Sequence, residues 1–473
     1  MRLLAAPQNS GKANLHQRAH GLGERYAPKL VKMLQSWQGI AHNLDEFYQS
    51  NAVRVFTLVA VAFILFLRKP DALFFPQFWA EDGAIFFKQA YETGLSSFIT
   101  PYAGYLHFIP RCVALGALAF SPAFAPAIYN FAALLLTVMV GAKILSRRLN
   151  LPYKPLLALA LVCIPHSGEV FLTITNIQWF TAVLLLVLVL QDAPETAAQS
   201  ISDFIILIAV GLSGPFIVAL APLFFFRLLR NTPRRAYDGW LYAVVIALCL
   251  IQGGFVLSTM PAPPTADASG STIELISGWC GVIKSKVFEH LLMGGRSVMP
   301  SPFFWLYTWG FVFLLWQLLV MASVVLVTRG AWLELKSKTK LNQQRMIVVA
   351  AGLLLMAAVI YKLSRHPETL NPLGNGDRYF YLPRLMVIWF LITCLQLRHR
   401  GKWGAAVLLA SVAATIWLAT NGWTSGFGFQ SAPYQPLNWE KYSPAIESGQ
   451  PVTIPINPPG WFVTLNGAKE VPR

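Results

Sequence analysis

Apolar runs separated by short polar segments occupy most of the chain after residue 51. An α-helix rises about 1.5 Å per residue, so roughly 20 apolar residues cross the hydrocarbon core of a bilayer. Two of the runs, 151–165 and 201–213, reach that length only with flanking residues included. We therefore predict an all-α polytopic membrane protein with about eleven transmembrane helices, at 52–67, 126–145, 151–165, 176–191, 201–213, 215–228, 239–258, 303–327, 346–362, 379–397 and 403–420.

One further apolar stretch, Tyr105 to Phe120, is ambiguous because it contains His107, Pro110 and Arg111. Loop charges distinguish the possibilities, since cytoplasmic loops of membrane proteins are rich in Lys and Arg. With this stretch outside the bilayer core, eleven spans place 23 of the 37 basic residues but only 8 of the 21 acidic residues on one side. This arrangement predicts a cytoplasmic N-terminus, a half-inserted helix at Tyr105–Phe120 and a periplasmic C-terminus.

Composition agrees with a membrane protein and excludes two other classes. Charged residues make up 12% of the chain and hydrophobic residues 55%, against roughly 25% charged residues in soluble proteins. So few charges could not cover the surface of an ordinary soluble enzyme, and the many aromatic residues exclude a disordered chain. Cytoplasmic loops account for nearly all of the net charge of +16, so membrane lipids are expected partners and nucleic acid is not.

The predicted spans divide the chain into three segments. A basic cytoplasmic segment covers 1–50, and a transmembrane domain covers 51–420 with outer loops at about 68–125, 259–302 and 363–378. In the second of these loops, Lys284 and Lys286 are expected to meet lipid headgroups. A small periplasmic segment covers 421–473 and contains the strand-like run PVTIPI.

The most informative motif is FPQFWAEDGAIFFKQAYETG, which follows the first span and carries adjacent carboxylates at Glu81 and Asp82. A helical pattern starts at this pair and ends at Gly94. Asp82 at a helix start can simply cap free backbone N–H groups, which contributes about 1 kcal/mol. Alternatively, one of the two carboxylates stays ionised at the membrane surface and takes a proton from an acceptor hydroxyl or holds a metal ion.

Further polar residues cluster at predicted outer helix ends. His107 and Arg111 lie four positions apart and could face a phosphate together. Arg378, at the mouth of the tenth span, is suited to pairing with a phosphate, and Tyr379 and Tyr381 could stack against a sugar. Each of these assignments has a structural alternative. His107 would be a structural histidine and Arg111 a lipid-facing arginine. Arg378 would form a surface ion pair with Asp377, and the two tyrosines would belong to an aromatic belt. The remaining candidate substrate-binding residues are Asp377, His166, Glu169, Asn176 and Arg296.

These motifs together resemble the GT-C superfamily of integral-membrane glycosyltransferases. The resemblance rests on FWAEDGAIFF in the first outer loop, PYAGYLHFIPR as an outer half-helix, and a following span that ends in ILSRRL. It is strongest to a bacterial branch with WAEDG, DRYFYLP and a terminal PI.PPGW pattern, represented here by Pro455, Ile456 and 458–461. The superfamily includes oligosaccharyltransferases, protein O-mannosyltransferases and aminoarabinose transferases of lipid A.

The resemblance implies a GT-C-like bundle in the bacterial inner membrane and an inverting glycosyl transfer on its outer face. The donor would be a polyprenyl-phosphate or polyprenyl-diphosphate sugar, and the acceptor a cell-envelope glycan, lipid or protein. Asp82 or its neighbour Glu81 would be the general base. Arg378 would hold the donor phosphate, with help from Arg111 or His107. Some branches use a divalent cation (Mg or Mn) and others do not, so the metal requirement stays open.

Two other functions remain possible from the sequence. A flippase or transporter of a lipid-linked sugar would bear ionisable residues near the middle of its spans, whereas here the polar residues collect at one face. An O-antigen polymerase or ligase of another fold would carry its main outer loop late in the chain. The first outer loop is instead among the longest in this sequence.

Overall fold

The computed structural model describes residues 50–230, 235–258, 272–289, 339–363, 370, 376–394, 431 and 433–466. The chain divides into two compact units, Met1–Val55 and Phe56–Arg473, and only residues 50–55 of the first are described. The predicted runs 303–327 and 403–420, nearly all of the 1–50 segment, and Arg296 lie outside the described residues.

Each of the other nine predicted runs contains an α-helix. The described helices are α1 Asn51–Arg68, α2 Asp71–Phe74, α3 Lys88–Thr93, α4 Phe108–Ala117, α5 Ala125–Ile144, α6 Lys154–Cys163, α7 Ile177–Leu190, α8 Ala197–Gly211, α9 Phe216–Leu229, α10 Arg235–Ser258, α11 Thr272–Ile283, α12 Lys340–Lys362, α13 Tyr381–Cys394 and α14 Ser443–Glu447.

Four described helical stretches are long and apolar enough to cross a membrane: Asn51–Arg68, Pro122–Ile144, Arg235–Ser258 and Lys340–Lys362. The apolar helices α6 to α9 have only 10 to 15 residues. Helix α4, in the stretch expected to be half-inserted, has 10 residues and therefore extends over about 15 Å, half the thickness of a hydrocarbon core. The structure is thus mostly helical, with several helices of membrane-spanning character.

Helix α7 is the centre of the bundle, and all of its 14 residues are buried. It packs against α5, α8, α9, α12 and α13, as expected of a helix that is hydrophobic on every side. Outer helices expose large apolar side chains instead, including Phe56, Leu250 and Leu353. Because water disfavours such extended apolar surface, these faces are suited to lipid.

The two ends of helices α6 and α7 carry different chemistry. The acidic-loop end contains Glu81 and Asp82, the end of α6 and the start of α7. The basic-loop end contains the opposite ends of those two helices. There the carboxylate of Asp203 is fully buried and accepts hydrogen bonds from Lys143 at 2.8 Å, Arg148 at 2.7 Å and the Tyr237 hydroxyl at 2.7 Å.

The acidic-loop end is built from irregular segments and a small sheet. A π-helical turn, Asp82–Phe87, leads into α3, and the chain turns at Gly94 with φ of +56°. The predicted strand-like run PVTIPI forms β1 (Val452–Ile456), which pairs antiparallel with β2 (Trp461–Leu465). This two-stranded sheet corrects the all-α expectation.

The buried Asp203 network predicts a strong effect on stability. Asp203→Asn leaves Lys143 and Arg148 partly buried without their counter-charge, which costs about 3 kcal/mol or more. Asp192→Asn is the matched control, because the side chains of Asp192 and its partner Lys340 are 49% and 52% exposed and such pairs contribute at most about 1 kcal/mol. Thermal unfolding in detergent should show a clear loss for Asp203→Asn alone; equal losses for the two variants would contradict this account.

Candidate functional site

Asp82 is a buried anchor that fixes one loop to another. Its side chain is 1% exposed, and its two oxygens accept the backbone N–H groups of Thr175 at 2.7 Å and Ile174 at 3.2 Å. Burial raises the pKa of this carboxyl well above its usual value, against the effect of the two N–H donors. The simple N-cap expectation is therefore wrong, since the side chain caps no helix start and binds the loop before α7 instead.

Glu81 is the accessible member of the acidic pair. Its side chain is only partly buried and accepts hydrogen bonds from the Tyr102 hydroxyl at 3.3 Å and the Thr175 hydroxyl at 3.5 Å. Burial and the negative charge of Glu81 together raise the pKa of Tyr102 to about 12. Two neutral hydroxyls therefore orient the Glu81 carboxylate while leaving it open on its exposed side.

Arg378 and Glu169 form a partly exposed ion pair close to Glu81. The Glu169 carboxylate accepts the backbone N–H of Arg378 at 3.0 Å, and its other oxygen lies 3.5 Å from Nη1 of the same residue. Burial raises the pKa of Glu169, although the charge of Arg378 opposes the shift, and the negative charge of Glu81 contributes to it. The acidic-loop end thus holds an arginine paired with Glu169 and within electrostatic reach of Glu81, and an anionic ligand could compete with Glu169 for it.

Lys362 is a second cation beside Arg378, and it was not predicted from the sequence. Its Nζ atom lies 5.5 Å from the ring centroid of Tyr105 and 5.7 Å from that of Tyr379. The Arg378 guanidinium lies 5.4 Å from the same Tyr379 ring. A usable signal was present, because Lys362 is the last residue of the predicted span 346–362 and of α12, and the predicted outer loop 363–378 that follows this span ends at Arg378.

The loop between α6 and α7, residues 164–176, is the scaffold of this site and is named the bridging loop. Arg68 donates hydrogen bonds to the carbonyls of Ile164 at 2.8 Å and His166 at 3.3 Å. Asp377 accepts the Ser167 N–H at 2.7 Å, and Asn130 donates to the Leu172 carbonyl at 2.7 Å. Together with Asp82, these side chains fix the loop that carries Glu169 and Thr175.

The C-terminal segment contacts residues 78–83, which include Glu81 and Asp82 and which we call the acidic motif. The carbonyl of Asn457 accepts the Ala80 N–H at 2.5 Å, and the Asn457 N–H donates to the Phe78 carbonyl at 3.2 Å. Ala80 is held at a positive φ of 41°, an uncommon conformation for a residue with a side chain. A Cβ atom on Gly83 would lie only 2.8 Å from the Val463 side chain, so glycine permits this close approach of β2.

Several predicted substrate-binding residues have internal partners instead. Asp377 is fully buried and paired with Arg384. Tyr381 is fully buried and donates to the Leu161 carbonyl at 2.8 Å, so it offers no ring face to a sugar. Asn176 is buried and donates to the Glu169 carbonyl at 2.8 Å, which closes the end of the bridging loop. These three expectations are corrected because the side chains stabilise the scaffold.

His166 is likewise part of the scaffold. Its Nδ1 accepts the Gly168 N–H at 2.9 Å, so the ring proton is on Nε2, which lies 3.4 Å from the Asp377 carboxylate. Burial lowers its pKa to about 3 despite the nearby Asp377. His166 is therefore neutral at physiological pH and does not contact the exposed part of the site.

His107 and Arg111 lie behind the site, packed against the Phe86 ring. The His107 ring centroid is 5.2 Å from that of Phe86, and the Arg111 guanidinium is 5.1 Å from it. Both side chains are buried, and Arg111 donates to the Thr100 carbonyl at 2.9 Å. Burial lowers the pKa of His107 to about 3. The expectation that this pair faces a phosphate is therefore corrected.

Two further expectations concern cations. Lys286 is buried near Asp377 and Arg384, and burial lowers its pKa to about 8, so it does not lie among lipid headgroups. Within the described ranges, no group of three or more His, Cys, Asp or Glu side chains could hold a metal ion. Both oxygens of Asp82 accept backbone N–H groups, and Glu169 is paired with Arg378.

The exposed part of the site is therefore smaller than the predicted set. It comprises Glu81, Tyr102, Glu169, Arg378, Tyr379 and Lys362, and we call it the reaction cluster. A carboxylate held by hydroxyls can accept a proton, and two adjacent cations can stabilise an anion. No family model, curated protein or solved structure matches this chain.

The burial of His107 predicts a specific pH dependence of stability. A histidine with a lowered pKa stays neutral in the folded protein while the unfolded chain binds a proton below about pH 6.5, so stability is lost as the pH falls. At pH 5 this costs about 2 kcal/mol relative to pH 7.5. Thermal unfolding at pH 7.5 and pH 5 should show that His107→Phe loses less stability than the wild type. Both proteins keep the other buried histidine, His166, so its contribution cancels in the comparison. Equal losses would contradict the burial of a neutral His107.

Proposed function

We propose that this protein is a glycosyltransferase that moves a sugar from a polyprenyl-phosphate or polyprenyl-diphosphate donor to a cell-envelope glycan, lipid or protein. The observation that carries the proposal is the juxtaposition of an accessible carboxylate, Glu81, with the cations Arg378 and Lys362 at one end of an apolar helical bundle. Resemblance of the WAEDG and DRYFYLP motifs to the GT-C superfamily supports it.

The chemistry follows from the charges in the reaction cluster. Breaking the bond between sugar and phosphate leaves negative charge on the lipid phosphate, and fixed cations lower the barrier to that step. Arg378 and Lys362 would supply these cations, with the phosphate displacing Glu169 from Arg378. On the opposite face of the sugar, the oxygen of the acceptor hydroxyl would bond to the anomeric carbon as the bond to the phosphate breaks, which inverts that carbon. Glu81 would accept the proton of this hydroxyl.

This proposal assigns different roles to the two adjacent carboxylates. Glu81 is assigned as the general base because it is accessible and, among the described residues, accepts its side-chain hydrogen bonds from two hydroxyls. Asp82 positions Glu81 by fixing the acidic motif to the bridging loop through two backbone N–H groups. The other buried candidates, His107, Arg111, His166, Asp377, Asn176 and Tyr381, would act by holding this geometry.

The proposed location is the bacterial inner membrane, with a GT-C-like arrangement of about eleven spans. In this arrangement the acidic-loop end faces the periplasm together with the C-terminal segment. The basic-loop end, with Lys143, Arg148 and Arg227, faces the cytoplasm, as the distribution of positive charge predicts.

A carrier for lipid-linked sugars is the weaker alternative. Secondary transporters place ionisable residues near the middle of their spans. In the four described helical stretches long enough to cross a membrane, every Asp, Glu, Lys and Arg lies within six residues of a helix end. The polar groups available for chemistry are at the acidic-loop end, as a one-sided enzyme requires.

The division of roles predicts opposite phenotypes for two isosteric variants. Glu81→Gln removes the base without disturbing the buried contacts, so transfer should fall by a factor of about 100 or more with unchanged thermal stability. Asp82→Asn keeps an acceptor oxygen for one backbone N–H but sets its NH₂ group against the other, so it should lower stability by about 1–3 kcal/mol. The assay is release of lipid phosphate from polyprenyl-phosphate sugars in the presence of cell-envelope acceptors.

The reverse pattern would contradict the assignment. Normal transfer by Glu81→Gln, or an Asp82→Asn protein that is inactive but as stable as the wild type, would show that Glu81 is not the base. Expression level and elution as a single species in gel filtration serve as controls for folding.

The proposed orientation predicts which positions an impermeant thiol reagent reaches. Ser448 at the acidic-loop end and Ala198 at the start of α8 are both exposed. In a background with the exposed Cys112 and Cys280 replaced by Ser, Ser448→Cys should be labelled by an impermeant maleimide in spheroplasts. Ala198→Cys should be labelled only after permeabilisation; the opposite pattern would invert the topology.

A further inference from the structure

We propose that Gln178 and Trp179, at the start of α7, form a hydroxyl-binding subsite for the sugar of the donor, between the rings of Tyr105 and Tyr379. The inference rests on the proposed function, and it names the part of the donor that this surface recognises. The four residues Tyr105, Gln178, Trp179 and Tyr379 are called the sugar subsite.

The first observation is a buried donor and a buried acceptor without partners. Among the described residues, neither Trp179 Nε1 nor Gln178 Oε1 has a hydrogen-bond partner, although the two residues are only 6% and 8% exposed. An unsatisfied buried polar group costs about 1–3 kcal/mol. A sugar carries several hydroxyls, each of which both donates and accepts, so separate hydroxyls can satisfy the indole N–H and the amide oxygen.

The second observation is the aromatic surface around these atoms. Tyr379 lies edge-on to Trp179 with ring centroids 5.6 Å apart, and the amide nitrogen of Gln178 is 3.4 Å from the Tyr105 hydroxyl. Lys362 lies over both tyrosine rings. Aromatic walls with a few directed polar groups are typical of small-molecule sites, and they suit a sugar, which has apolar C–H faces and a polar rim.

The third observation is the position of the subsite between the two reacting groups. Tyr105 and Tyr102 exchange backbone hydrogen bonds of 3.2 and 3.0 Å, and Tyr102 donates to Glu81. On the other side, Tyr379 directly follows Arg378. A sugar in the subsite would therefore lie between the proposed base and the proposed phosphate-binding cation, as a transferred group must.

The geometry of the subsite is rigid. Gln252 fixes the chain next to Tyr105 by accepting the Leu106 N–H at 2.9 Å and donating to the Gly211 carbonyl at 3.0 Å. A Cβ atom on Gly214 would lie 2.7 Å from the Gln178 amide oxygen, so glycine leaves room for that side chain. A preformed site of this kind loses little entropy when it binds a ligand.

Helix α7 also provides a matched control. Gln191, directly after its other end, is 2% exposed, and its amide atoms also have no hydrogen-bond partner among the described residues. It lies at the basic-loop end, where its carbonyl accepts a hydrogen bond from Arg227. A buried unpaired amide alone therefore does not define the subsite; the aromatic rings and the reaction cluster beside Gln178 do.

The test compares two lipids that differ only in the sugar. Binding of a C55 polyprenyl phosphate is measured beside that of the same lipid carrying glucose, mannose or N-acetylglucosamine, with the full chain in nanodiscs. Gln178→Met and Trp179→Phe should weaken binding of the preferred glycosylated lipid at least tenfold and change binding of the sugar-free lipid less than twofold. Gln191→Met should change neither.

Each contrary result identifies what failed. Equal effects of Gln178→Met and Trp179→Phe on both lipids, or no effect on either, would overturn the subsite while leaving the proposed function standing. The same holds if the wild type binds no glycosylated lipid more tightly than the sugar-free lipid. Failure of the wild type to bind any of these lipids would overturn the proposed function and the subsite with it.

Discussion

The structure depends on the need to satisfy the backbone polar groups of the bridging loop inside the protein. Residues 164–176 join two apolar helices, and much of this loop is buried, so its N–H and C=O groups have little access to water. Buried charged side chains from separate segments take the place of water: Arg68 from α1, Asp82 from the acidic motif, and Arg384 from α13, which donates to the Pro165 carbonyl at 3.1 Å. Each charge is offset by hydrogen bonds, without which its burial would be costly.

This constraint explains why the two carboxylates of the acidic motif differ. Asp82 is used to hold the bridging loop, and the resulting contact leaves Glu81 beside Tyr102 and Thr175 with one side open. The same loop presents Glu169 to Arg378, while the C-terminal hairpin packs behind Gly83 and keeps the motif in place. The reaction cluster is thus a small accessible surface on a large buried polar scaffold, and most of the polar residues around it serve the scaffold.

Much of the helical pattern could be predicted from the sequence, because long apolar runs have few alternatives to helices. Polar residues such as Arg378 and Glu81 were also recognisable, since such groups are uncommon in so apolar a chain. Their roles were not predictable, because these depend on contacts between distant segments. Nothing local distinguishes Glu81 from Asp82, and the Arg68 contacts form only when the end of α1 meets the bridging loop, more than 90 residues further along the chain. Lys362 was missed because it looks like an ordinary basic helix end.

The most direct test of the central claim is an electron cryomicroscopy structure of the full chain in nanodiscs with a glycosylated polyprenyl phosphate. The account predicts density for the lipid phosphate within hydrogen-bonding distance of Arg378, with Glu169 displaced from that side chain and the sugar turned toward Glu81. Lipid phosphate bound at the basic-loop end, or at the acidic-loop end with the Glu169–Arg378 pair intact and Glu81 remote from the sugar, would contradict it.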